Sequence, residues 1–357
     1  MKKSLIALAI AGAMTAPIVA QADATLYGGV ETRLKFVEDK DANLFVDKAE
    51  MGVKGSSELE NLEGVKATYQ IEFRLDANGT DDEAALASTI NNSNSEGVQM
   101  RKANVGLVGD FGIVQIGRQN NLGNAVKKTD VFMSQSAGYL ANDRFGNSVY
   151  YVTPMMAGFE AYAGLIADGG NDDAEEDVDA WQVGFNYSLM GLDLSAAYTE
   201  YDKEYTGGIA TAATPAVTTV DTNGDTVTLS PAVAATSGVD SDDTELWGVG
   251  AAYAIGDFTV AATYENRETG NVEDETAVLA ALYTIGNTTL KAGYAETWVD
   301  NSHDGDMGDN DYAGYTVQAK YALGKKASVA AEWNTQDFDG NRFDDVDTVT
   351  LSYAVAF

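Results

Sequence analysis

The chain has no cysteine in its 357 residues, so it has neither a disulfide framework nor a thiolate for metal binding or nucleophilic chemistry. It has a single histidine, His303, and Cys/His zinc sites, Ser–His–Asp triads and Cys–His pairs therefore lack their parts. Carboxylates abound, so chance pairs of them carry little weight as acid–base machinery. Basic side chains are scarce: 22 Lys and Arg stand against 55 Asp and Glu, for a formal charge of −33. That balance argues against nucleic-acid partners, whose phosphates require a basic surface. Beyond the N-terminal leader no run of about 18 apolar residues occurs, which excludes a transmembrane helix but not spanning strands of about ten residues each. Intrinsic disorder, the ordinary reading of so acidic a chain, fails because 45% of residues are hydrophobic, with 18 Tyr, 12 Phe and 4 Trp.

The N-terminus reads as a secretory signal peptide over residues 1–22. Lys2 and Lys3 precede an apolar run from Leu5 to about Ala20, and a small-x-small cleavage site follows at Ala20, Gln21 and Ala22. The mature chain then spans 23–357, with Thr25 as a second choice of start. An exported chain without disulfides must stabilise itself by size or by closure.

The mature sequence resolves into short alternating runs. In "VKATYQIEFRL" Val65, Ala67, Tyr69, Ile71, Phe73 and Leu75 share one face, opposite Lys66, Thr68, Gln70, Glu72 and Arg74. "TLYGGVETRLKF" sets Leu26, Gly28, Val30, Thr32, Leu34 and Phe36 opposite Tyr27, Gly29, Glu31, Arg33 and Lys35. A period of two is the strand signal, one face suiting an apolar medium and the other water. Sixteen such runs are expected: 25–36, 48–57, 63–75, 98–109, 111–119, 147–154, 157–166, 178–189, 191–201, 243–254, 256–267, 274–285, 287–298, 311–322, 327–336 and 345–357. Tight turns such as "MG", "IGD" and "IGN" alternate with long acidic loops, the longest at about 202–242. No proline falls in the interior of a run: Pro154 marks the turn that ends one and the other three lie outside, as ladder hydrogen bonding demands. These features predict an all-β fold, a transmembrane antiparallel up-and-down β-barrel of 16 strands. The bland alternative is a soluble β-sandwich, whose strands are usually shorter; here aromatics recur near the strand ends (Tyr187, Tyr201, Tyr253, Tyr294, Trp298, Tyr321), as interfacial girdles do.

"DATLYGGVE", "AEMGVKGSSEL", "MRKANVGLVGDFGIVQIGRQ" and "RFGNSVYYVTPMMAGFEAY" resemble, in order, successive landmarks of the Gram-negative general-diffusion porins. The terminal Phe357, on an alternating strand, resembles the signal read by the barrel-assembly machinery. The resemblance covers the mature chain and thins beyond about Gly164. It implies a homotrimer in the outer membrane of a Gram-negative bacterium, with a long third loop, here about 119–147, folded into the lumen. Position by position it implies Arg101 and Arg144 as wall cations of the constriction and Asp130 as the facing loop acid. Glu50 stands where enteric members carry arginine, and Ser134 stands near the expected second loop acid. Arg33, Lys54, Lys66 and Arg74 are further lining candidates. Arg118 has two candidate places, the eyelet lining and a subunit contact, and the contact is favoured because its parity partners Val114 and Ile116 face outward. Lys102 joins it by the same parity, since an inward Arg101 sends Lys102 and Asn104 out, where lysine is costly at mid-bilayer.

The expected function is passive diffusion of small hydrophilic solutes and ions through a water-filled channel, with cation preference and no cofactor. The alternatives are a channel selective for sugar, organic acid or phosphate, and a secreted β-rich adhesin. Outer-membrane lipid and lipopolysaccharide, bridged by Mg²⁺ or Ca²⁺ at the acidic loops, are the expected surroundings. No metal site is assigned: "DTNGDTVTLSPA" begins like a calcium loop at Asp221, Asn223 and Asp225 but lacks glycine at its sixth position and an acid at its twelfth.

Overall fold

Strands that alternate apolar and polar side chains can hide their backbone groups from lipid only by closing on themselves. The computed structural model describes residues 23–75, 98–134, 139–167, 178–202, 217–220, 226–230, 243–270, 272–299, 311–338 and 345–357, and in it the sheet closes. The first half of the wall is β1 (Thr25–Val37), β2 (Asn43–Glu58), β3 (Lys66–Leu75), β4 (Val98–Gly109), β5 (Gly112–Asn120), β6 (Arg144–Val152), β7 (Phe159–Ile166), β8 (Ala180–Leu189) and β9 (Leu192–Tyr201). A separate hairpin, β10 (Val217–Val220) with β11 (Thr226–Ser230), interrupts the series. The wall resumes with β12 (Thr244–Ile255), β13 (Phe258–Thr269), β14 (Val272–Ile285), β15 (Thr288–Val299), β16 (Tyr312–Ala322), β17 (Ala327–Phe338) and β18 (Val346–Ala356). Sixteen antiparallel strands make the barrel, each answering one of the expected runs. The signal peptide, most of loop 202–242 and His303 lie outside the described residues.

The register sorts the two faces. Val30, Ile71, Val105, Ile116, Val249, Leu279, Val317 and Leu351 are exposed on the outer side. Thr199, Gln182, Thr263, Thr276, Gln318 and Thr350 are buried on the inner side. This is the reverse of a soluble core, and it fits a wall whose outer solvent is lipid. All four tryptophans, Trp181, Trp247, Trp298 and Trp333, share the outward parity of exposed apolar neighbours on β8, β12, β15 and β17.

Closure joins the chain's ends. β1 pairs with β18 from Gly29↔Ala356 to Val37↔Thr348, and the Phe357 amide donates to the Gly28 carbonyl at 3.0 Å. The Phe357 ring lies over Gly28 so closely that a Cβ there would collide with it and with the Glu50 carbonyl. At the tight turn between β8 and β9, Met190 and Gly191 take φ of 49° and 86°, the left-handed pair that suits a two-residue hairpin.

Three register shifts bend the wall, and all fall between β1 and β6. Asp47 is an extra residue of β2 opposite Glu31–Thr32. Arg101 is an extra residue of β4 opposite Glu72–Phe73. Gly146 and Asn147 together face Arg118, and Asn147 takes a φ of 46°. A bulge opposes two residues to one and re-aims the side chains beside it.

Candidate functional site: the charged and loop-lined interior

Two arcs of inner wall carry different chemistry. Along β1–β4 the inward side chains are ionic. The Arg101 Nε donates to Glu72 Oε1 at 2.9 Å, and its Nη1 lies 3.0 Å from Glu50 Oε1. Glu50 also meets Lys48 at 3.2 Å. Glu72, 4% exposed, accepts from the Tyr27 hydroxyl at 2.9 Å and pairs with Lys102 at 3.2 Å. Gln70 in turn donates to the Tyr27 oxygen at 2.7 Å. Arg33 pairs with Glu31 at 2.9 Å and Asp47 at 3.0 Å, and Arg74 donates to the Asp47 carbonyl. A carboxylate as buried as Glu72 persists only because its negative charge is matched by cations and hydrogen bonds.

Along β8–β17 the inner wall carries a loop. Asn121 caps a short 3-10 turn, Leu122–Val126, its side chain accepting from the Gly123 amide at 2.8 Å. Gln182 of β8 donates to Asn121 Oδ1 at 2.7 Å, and the Thr129 hydroxyl donates to Thr263 of β13 at 2.9 Å. Lys128 meets Asp193 of β9 at 2.8 Å. Lys291 of β15 donates to the Val131 carbonyl, and Phe132 fills the space over Gly293. Glu332 of β17, 1% exposed, accepts the Met133 amide at 2.7 Å and the Ser134 amide at 2.6 Å, one on each carboxylate oxygen. Glu265 of β13, equally buried, accepts the Leu140 amide at 2.8 Å. On the returning limb of the loop, burial pushes the Tyr139 phenol well above its ordinary pKa, and its oxygen lies 2.7 Å from the Thr129 hydroxyl. The two arcs meet at Arg33, whose Nη1 donates to the Met133 carbonyl at 2.9 Å.

The residues expected at the site divide accordingly. Arg101 and Glu50 come together as a salt bridge. Arg144 is half-buried at the head of β6, and its Nε has no hydrogen-bond partner among the described residues. Asp130 is exposed on the loop, its amide donating to the Lys127 carbonyl at 3.2 Å. Lys54 sits over the Tyr27 ring, 5.4 Å from its centroid, and Lys66 pairs with Glu58 at 2.8 Å between two exposed side chains. Neither is the partner that balances Glu50; Arg101 and Lys48 are.

Arg118 lies exposed on the outer face, its Nε donating to the Met100 carbonyl at 3.1 Å. Lys102 does not join it. The extra residue at Arg101 breaks the parity on which that expectation stood, and both consecutive cations turn inward to Glu72. Asn104 is inward too, accepting from Gln115 at 2.5 Å. Residues missed at the sequence level are Glu72, Glu265, Glu332 and Gln182. Gln182, Glu265 and Glu332 are each a larger polar side chain of inward parity on a strand whose other inward positions are mostly Thr, Ser, Gly, Ala and Asn, which was the available signal, whereas Glu72 sits among the large polar side chains of β3 and has no such mark.

A closed barrel with an apolar outside and an ionic, loop-lined inside is a membrane channel of the outer-membrane kind. The family model described as Gram-negative porin matches residues 6–355, and the chain belongs to that family. It is an outer-membrane diffusion channel. Among curated relatives, the major outer membrane protein P.IB of Neisseria meningitidis serogroup B is 28% identical over 364 residues, covering 96% of each chain. Among solved structures, OmpT of Vibrio cholerae in its trimer form aligns at 18% identity and a TM-score of 0.66, covering 95% of this chain and all of that one. An anion-selective porin from Comamonas acidovorans aligns at 17% identity and a TM-score of 0.66, covering 94% and 100% of the two chains. Likeness at these identities shows the fold.

Proposed function

We propose that the channel is a cation-preferring general-diffusion porin acting as a homotrimer. Its constriction would be formed by Arg101, Arg144 and Glu50 on the wall and Asp130 on the loop at about 119–147. The observation that carries the preference is compensation: Arg101 is held by Glu50 and Glu72, and Arg33 by Glu31 and Asp47. Arg101 and Arg33 therefore project little net positive field. The sequence at 76–97, 168–177 and 300–310 contains many acids and no Lys or Arg, a charge balance that favours cations over anions around the protein. The fold leaves the sign of selectivity open, because a neighbour of the same fold is described as anion-selective. Reversal potential across a KCl gradient decides it: cation preference is expected, and an anion-directed potential would sink the reading.

Trimerisation is supported by the fold neighbour described as a trimer and by Arg118, a guanidinium left exposed on a face that otherwise meets lipid. A heat-modifiable oligomer band on gels, weakened by Arg118→Ala, is the expected result. Lipopolysaccharide with bridging divalent cations is the proposed surrounding of the acidic loops. Phe357 is proposed as the signal for the barrel-assembly machinery; its deletion should cut outer-membrane yield far more than the conductance of the channels that do assemble.

A further inference from the structure

Lys102 and Arg101 are consecutive, yet both point into the lumen, which a regular strand forbids. The register shift between Glu72↔Lys102 and Phe73↔Met100 leaves Arg101 as the extra residue, so two cations occupy a place built for one. Glu72 lies against both of them, 2.9 Å from Arg101 Nε and 3.2 Å from Lys102 Nζ. Its side chain is 5% exposed, so it offers solutes almost no surface of its own. Tyr27 fixes the second oxygen from behind, at 2.9 Å, and Gln70 fixes Tyr27. A group so placed acts on the pore through its neighbours.

We propose that Glu72 is the selectivity-setting residue of this channel, silencing the doubled cation that the bulge creates. This rests on the diffusion-channel reading given above. Arg101, Lys102 and Lys48 face two carboxylates, Glu50 and Glu72. With both acids ionised the cluster keeps a single net positive charge; without Glu72 it carries two and becomes an anion-attracting patch on the wall. A unit charge about 10 Å away across water changes the local concentration of a monovalent ion roughly twofold, up for one sign and down for the other. Loss of one wall carboxylate therefore moves the cation-to-anion permeability ratio by about fourfold, and less as salt shortens the screening length.

The test uses the full mature chain in planar bilayers under a dilute KCl gradient. Glu72→Gln is expected to move the permeability ratio about fourfold toward chloride. Glu72→Asp, which keeps the charge, is expected to stay near the native ratio, and Glu72→Gln with Lys102→Gln is expected to return to it. Open Glu72→Gln channels with the native ratio would overturn the proposal, as would a shift that Lys102→Gln fails to reverse. A merely structural role for Glu72 would alter channel yield and leave these ratios unmoved. Where Glu72→Gln does not assemble, Lys102→Gln alone decides: a shift of similar size toward potassium supports the proposal and an unchanged ratio overturns it. Wild-type chain that forms no channels at all would instead count against the diffusion-channel reading.

Discussion

Glu50 and Glu72 on one side of the lumen, and Glu265 and Glu332 on the other, are the same residue put to two uses. The first pair answers guanidinium and ammonium groups on strands whose ladders are interrupted by bulges. The second pair answers backbone amides of a loop, from strands whose ladders carry no register shift. A bulge multiplies the side chains that a strand can aim at one place, at the cost of ladder regularity. A regular ladder instead holds one carboxylate at a fixed height, which is what an amide pair needs. Ion chemistry and loop anchorage have thus been assigned to different arcs, by backbone geometry as much as by residue type.

The largest expected effect comes from removing the anchoring pair. Glu265→Ala with Glu332→Ala strands the amides of Met133, Ser134 and Leu140, and a buried amide without a partner costs about 1–3 kcal/mol. Loop docking should weaken by several-fold that of an ordinary surface change, read as higher and noisier single-channel conductance and a lower unfolding temperature. Glu332→Gln is a milder probe: its single carbonyl oxygen can still accept, so a loss of about 1–2 kcal/mol is expected in thermal or denaturant unfolding. Glu50→Gln sharpens the contrast, since it should shift ion preference toward chloride while leaving loop docking intact. An equal loss of stability in Glu50→Gln and Glu332→Gln would erase the distinction between the arcs.

Alkaline titration gives a smaller signal. Burial raises the Tyr139 phenol, so its neutral form is the one that docks. Its contribution is fully present below about pH 10, the ordinary tyrosine value, and is lost as pH climbs from there through the raised folded value. The difference in stability between wild type and Tyr139→Phe should therefore change above that pH and be flat below it. The smallest effect belongs to the outer face, where the Tyr294 hydroxyl donates to Glu296 at 3.0 Å. Glu296→Gln, which touches neither arc of the lumen, should cost no more than about 0.5 kcal/mol by the same unfolding measurement.

Much of the barrel was legible because a period of two survives wherever the ladder is regular. The runs at 98–109 and 327–336 appear as β4 and β17 with little change of boundary. The exceptions sit at the bulges. β2 begins at Asn43 and not at 48, because the extra Asp47 breaks the alternation just where the strand had to be recognised. The inward turn of Lys102 was hidden for the same reason. Arg101 and Glu50 were legible as charges near one another in the fold, but their direct pairing depends on register, which a lone sequence does not specify. Glu332 was hidden by its plainness: an isolated acid in the middle of "ASVAAEWNTQDF" reads as a solvated side chain until the loop's path is known.

The seam between Gly28 and Phe357 has a consequence for the order of events in the life of the chain. Gly29 pairs with Ala356, so the final ladder joins the first strand of the barrel to the last, across every other strand in the sequence. Until the last strand arrives, β1 keeps one edge unpaired, an invitation to mispairing. Closure over so long a span also carries the largest loop entropy of any pairing in the molecule. Closure of the barrel therefore waits on β18, with the free edge of β1 left open until then and Phe357 arriving as the latch.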